Sequence, residues 1–194
     1  MEQTLDFANT VIIIDAGHLD MVVGEISTRL AADLGRDIPK LDVALFLETL
    51  LLDAGLEAEE ERGSNVLWIH SSECGGMKNV LPSDFDKDFT DTAFRGPMGE
   101  FTFNSFQPEG VVDYRELFME SLTLAAESDR VKRLIVVGDE MNLMERMHKA
   151  VEKRKAEVVF FGLVPSRDEK MLSHSTMAYA LLRAMGLEAD DLKK

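Results

Sequence analysis

The sequence predicts a single α/β domain, a mainly parallel sheet flanked by helices in three layers. Two observations carry that expectation. Four short runs, Asn9–Asp15, Asn65–Ser71, Arg133–Val137 and Glu157–Phe161, hold near-continuous apolar, β-branched or aromatic residues, the pattern of strands buried on both faces. Helical segments alternate with these runs, as they do where crossovers cover both faces of a sheet. With 194 residues, 45% of them hydrophobic, the chain can bury a core without disulfide or metal staples. The single cysteine, Cys74, excludes an intrachain disulfide and a multi-thiolate zinc site.

The elements follow in order. Asn9–Asp15 reads as a buried strand, and Asp15-Ala-Gly-His-Leu turns into a helix reaching about Leu34. Ile26, Leu30 and Leu34 share one face of it, and Gly35 and Pro39 close it. A second helix over 41–55, with Asp42 in its first turn, is apolar on almost every side. Such a helix is buried on more than one side. That predicts a homo-oligomer interface as well as a core contact. Asn65–Ser71 is the second strand, and Ser72–Asp88 reads as a loop. Phe89–Phe106 reads as an inserted β-hairpin around the turn chemistry of Arg95-Gly-Pro-Met-Gly. Its Phe94, Phe101, Phe103 and Phe106 suit either packing or the stacking of bases. A helix over Val112–Ala126, the strand Arg133–Val137 and a helix from Asp139 to about Lys153 come next. The strand Glu157–Phe161 and a closing helix over Asp168–Met185 complete one domain over residues 1–187, with a polar tail over 188–194.

The charge narrows the functions. Thirty-six acids against 21 Lys and Arg give a net charge of −15, so the surface as a whole repels nucleic acid and any RNA would have to bind locally. No apolar stretch is long enough to cross a bilayer, so no membrane role is expected. Met-Glu-Gln at the start shows no secretory signal, and with one cysteine a cytoplasmic location is expected.

Sheets of this class bind ligands at the carboxyl ends of their strands, where the strand order reverses. Asp15 and Asp139 each stand where a buried strand meets a helix. Paired carboxylates there suit Mg²⁺ or Mn²⁺, which take hard oxygen ligands. Each Asp equally suits the cap of the helix that follows. Asp113 opens another helix, ahead of Glu116 and Glu120, where the helix dipole also favours acids. Beside Asp15, His18 suits either phosphate binding or a structural hydrogen bond, and Asn142, Ser166 and Arg167 stand where substrate contacts or caps would lie. His70, His148 and His174 have no metal-ligand spacing. His148, among Lys149, Lys153 and Arg154, reads as a surface residue, and the run Lys149–Lys155 as a basic helix end.

At these residues the chain resembles a family. Ile14-Asp15-Ala-Gly-His-Leu is similar to the opening strand motif of NYN domains, the PIN-like nuclease fold, usually Asp-x-x-Asn-Leu. Gly110-Val-Val-Asp113 resembles that family's Lys-Gly-Val-Asp segment, and Val137-Gly-Asp139-Glu-Met141 its Ser-Gly-Asp-x-Asp motif. Phe161-Gly-Leu-Val, with Ser166 and Leu172, resembles its last strand and helix. The resemblance implies a Rossmann-like sheet and hydrolysis of RNA phosphodiesters by a Mg²⁺- or Mn²⁺-dependent ribonuclease, with Asp15, Asp113 and Asp139 as metal ligands. His18 stands where the family commonly has Asn and Met141 where it has a second Asp, and a thioether does not replace a carboxylate on Mg²⁺. The alternative it leaves is a catalytically inactive NYN-like fold used for binding or assembly as a homodimer. Gly138–Asn142 is also similar to a late metal motif of haloacid dehalogenase phosphatases, but Gly17 stands where that family needs a second Asp.

Overall fold

The computed structural model describes residues 6–59, 62–109, 113–163, 173–188 and 190–191. Its centre is β1 (Thr10–Asp15), buried along its whole length as its unbroken β-branched run requires. Asp15 caps α1 (Ala16–Leu34), and Gly35, with φ 63°, ends it in the left-handed conformation that glycine adopts without penalty. The chain continues through β2 (Leu41–Asp42), α2 (Val43–Asp53), β3 (Gly63–Ile69), β4 (Val80–Leu81), α3 (Phe85–Asp88), β5 (Thr92–Gly96) and β6 (Gly99–Phe106). After these come α4 (Tyr114–Glu127), β7 (Arg133–Val137), α5 (Glu140–Ala150), β8 (Glu157–Gly162), β9 (Ser173–Thr176) and α6 (Ala178–Ala184).

The main sheet has seven strands in the order β5-β6-β3-β1-β7-β8-β9, all parallel except the β5–β6 pair. The chain builds outward from β1 through β3 to β6, then α4 carries it back to β7 on the other side of β1. The order therefore reverses at β1, which makes its carboxyl end the crevice where such sheets take ligands.

Side chains alternate across the strands and divide the interior into two cores. Ile12, Ile14, Trp68, Ile135 and Phe161 pack with α1, α2 and α6 on one face. Val11, Ile13, Leu67, Val136 and Phe160 pack with α4 and α5 on the other. This is the expected three-layer α/β architecture. Among the described residues no helix is long and apolar enough to cross a membrane.

Four element expectations change. The second helix starts at Val43 with Asp42 as its cap, because Leu41–Asp42 pair with Val80–Leu81 as a small separate sheet. Its apolar perimeter is met within the chain, where it packs on α6, β2 and β5, and of its large apolar side chains only Leu52 is exposed. The all-round apolar character therefore needs no subunit interface. Ser72–Asp88 is not all loop, since it holds β4 and α3. The hairpin is the edge of the main sheet rather than an insertion, with β6 paired to β3 from Gly63↔Glu100 to Ile69↔Phe106. Its Phe101 and Phe103 are buried, and Phe94 stacks on Phe101 at 4.6 Å, so these rings are occupied by packing. The closing helix begins only at Ala178, and Ser173–Thr176 form β9 against Val159–Gly162. The start of the expected helix, 168–172, lies outside the described residues.

Candidate functional site at the carboxyl edge of the sheet

Parallel strands in register end together, so the pairing of Ile14 with Val137 brings Asp15, the last residue of β1, beside Asp139, which follows β7. The starts of α1 and α5 thus share one edge. Asp15, Asp113 and Asp139 are the caps of α1, α4 and α5. Asp15 Oδ1 accepts the His18 amide at 2.9 Å, and Asp113 Oδ1 accepts the Arg115 amide at 3.0 Å. Asp139 engages both oxygens on one residue: Oδ1 accepts the Asn142 amide at 3.1 Å, and Oδ2 accepts Asn142 Nδ2 at 2.7 Å. The three bonds from backbone N–H groups each satisfy one of the amides that a helix start leaves without an internal partner. Asn142 is thereby placed as the partner of Asp139.

Their surroundings differ sharply. Asp15 is 1% exposed, whereas Asp113 is exposed. Burial pushes the Asp15 carboxyl above the usual carboxylate range, the His18 amide and imidazole oppose that, and the charge of Asp139 adds to it. Arg115, in the first turn of α4, is the cation that acts on both Asp15 and Asp113, and burial followed by the Asp15 charge pushes the Tyr114 hydroxyl up. Met141, where the NYN motif has its second acid, is 94% exposed and supplies no oxygen. Among the described residues no three His, Cys, Asp or Glu side chains stand where they could hold one metal ion. Asp15, Asp113 and Asp139, as the structure places them, do not fit the three-carboxylate site that the NYN resemblance implies.

The model of a family of unknown function, DUF6621, matches residues 4–192. The chain belongs to this family. No curated protein and no solved structure matches it.

Other groups of this DUF6621 chain escape sequence reasoning. Glu140, the first residue of α5, folds its side chain over the end of β8, where a Cβ on Gly162 would collide with the Glu140 carboxylate. A side chain at 162 would displace that carboxylate. Glu140 Oε1 lies 3.3 Å from His174 Nδ1 on β9, and His174 Nε2 lies 3.1 Å from His148 Nε2 on α5. Phe160 lies alongside the His174 ring at 5.3 Å. Burial pushes the Glu140 carboxyl up, against the pull of His174. His148 is therefore no free surface residue but half-buried in this group. His18 acts electrostatically on both Asp15 and Glu140, and its Nδ1 is buried with no hydrogen-bond partner.

The remaining candidates have structural roles. His70, buried at the end of β3, stacks on Phe85 at 3.8 Å, and burial pushes its imidazole down. Cys74 is an exposed free thiol. Lys155, at the end of the basic run, pairs with Asp129 at 2.8 Å. Ser166 and Arg167 lie outside the described residues.

Proposed function

We propose that this chain is an NYN-like fold that serves as a binding module at the carboxyl edge of its sheet, without metal-dependent hydrolysis of RNA. One observation carries the proposal: the three candidate metal ligands are each engaged as helix caps and do not gather around a common point. The surface charge adds a second support, because nothing on the scale of −15 invites a polyanion without a compensating cation. Of its large apolar side chains the second helix leaves only Leu52 exposed, so the binding function is placed at the sheet edge rather than at a homodimer through helix 41–55. A single thiol, Cys74, suits the reducing cytoplasm, and the proposal places the chain there.

The ribonuclease reading keeps one observation in its favour. Asp15 and Asp139 are neighbours at the switch point, and the charge of Asp139 raises the Asp15 carboxyl. The two readings separate in a cleavage assay on single-stranded RNA with Mn²⁺, run on the wild type, Asp15→Asn and Asp139→Asn. The expected result is no cleavage above background in any of the three. Mn²⁺-dependent cleavage by the wild type that disappears in both variants would overturn the binding-module proposal and establish the nuclease.

A further inference from the structure

Away from the capping acids, titratable side chains from separate elements meet at Glu140, His148 and His174. The hydrogen-bond chemistry of this group is directional. An ionised carboxylate only accepts, so the 3.3 Å contact to Glu140 Oε1 keeps the proton of His174 on Nδ1. That leaves the lone pair of His174 on Nε2, facing His148 Nε2 at 3.1 Å. The side chains of His174 and Glu140 are 6% and 13% exposed, and Phe160 lies against the His174 ring, so this orientation is held from several sides. A carboxylate behind one ring nitrogen, with the lone pair on the other turned to a second imidazole, is the outer-shell arrangement that supports a histidine bound to a metal. The spacing fits as well. Two imidazole nitrogens on one tetrahedral ion, each about 2.0–2.1 Å from it, stand roughly 3.4 Å apart.

We propose that His148 and His174 form a two-imidazole site for a borderline transition-metal ion of the Zn²⁺ class, with Glu140 as the residue that positions His174. In the metal-free chain one proton on His148 Nε2 bridges the pair; when the ion binds between the two Nε2 atoms, that proton moves by exchange with solvent to His148 Nδ1, so that both imidazoles bind as neutral ligands. Two protein donors among the described residues leave the rest of the coordination sphere to water. Imidazole donors select Zn²⁺, Ni²⁺ or Cu²⁺ over the Mg²⁺ and Mn²⁺ that oxygen ligands prefer. The site uses none of Asp15, Asp113 or Asp139, so it stands or falls independently of the binding-module proposal.

The test is a titration of the untagged full chain with Zn²⁺ alone by calorimetry, and with Co²⁺ alone by visible absorption. One ion per chain is expected. Affinity should fall at least tenfold in His174→Ala and in His148→Gln, and about 10-fold to 100-fold in Glu140→Gln, whose lesion is to the orientation of a ligand. Asp15→Asn should bind as the wild type does. In the wild type itself, imidazole ¹⁵N spectra should show two Nε2 signals moving with Zn²⁺, a readout that needs no variant to fold. No uptake, or uptake unchanged in both histidine variants with no movement of the two Nε2 signals, overturns the proposal.

Discussion

Two polar groupings share one edge of the sheet, and their side chains are used in opposite ways. Toward β1 and β7, Asp15 and Asp139, like Asp113 at the start of α4, turn back onto the amides of their own helices. Toward β8 and β9, Glu140, His148 and His174 come from two elements and turn toward each other. The difference lies in position along the helix. A cap residue reaches the amides of the first turn without leaving it. Glu140 is already inside α5 and His148 lies near its end, and both side chains reach His174 on β9. An acid at a strand end is therefore no measure of a cation site until its oxygens are known to be unengaged.

The largest expected effect falls at the histidine end. Gly162→Ala sets a methyl group on the Glu140 carboxylate, and an overpacked contact of this kind costs about 1–3 kcal/mol. Denaturant unfolding gives the cost, and the His174 imidazole signals should shift as Glu140 is displaced. Unchanged stability and unchanged His174 signals would mean that Glu140 does not hold the ring.

Next in size is the buried cap. Asp15→Ala should cost about 2 kcal/mol, the upper end for a cap, while Asp15→Asn stays within about 0.5 kcal/mol because asparagine caps as well as aspartate. Equal losses in the two variants would show that the charge of Asp15 matters more than its hydrogen bond.

The charge can be isolated by pH. Burial holds the folded Asp15 pKa above its unfolded value near 3.9, so the folded chain keeps the proton longer. The cost of ionising it is absent below that unfolded value, grows as pH rises toward the folded pKa, and is complete above it. Urea midpoints at pH 4, 5.5 and 7 should therefore show the wild type losing stability relative to Asp15→Asn as pH rises. The opposite trend would mark Asp15 as a stabilised anion and contradict the dominance of burial. The smallest effect is expected at the exposed cap, where Asp113→Ala should cost about 0.5 kcal/mol in the same unfolding assay. A loss matching that of Asp15→Ala would erase the distinction between buried and exposed caps.

Much of this fold is legible in local sequence. β1 and β7 stand out as unbroken apolar runs, Gly35 ends α1 where expected, and the alternation of runs and helices gives the α/β class. The failures are non-local. Ser-His-Ser-Thr has neither an apolar run nor alternation, and it is a strand only because β8 offers it a parallel partner. The hairpin looks like an insertion until β6 pairs with β3 across the chain. The site divides in the same way. Capping by Asp15, Asp113 and Asp139 can be read from an acid before a helix. The meeting of His148 with His174 has no motif, and its only local trace is Gly162, a glycine ending a buried strand where Glu140 needs room.

The engagement of the three acids is tested most directly by Mn²⁺ binding itself, followed by electron paramagnetic resonance at physiological salt. Wild type, Asp15→Asn and Asp139→Asn should give the same weak, non-saturating uptake expected of an acidic surface. A saturable site holding one Mn²⁺ per wild-type chain and lost in both variants would contradict it.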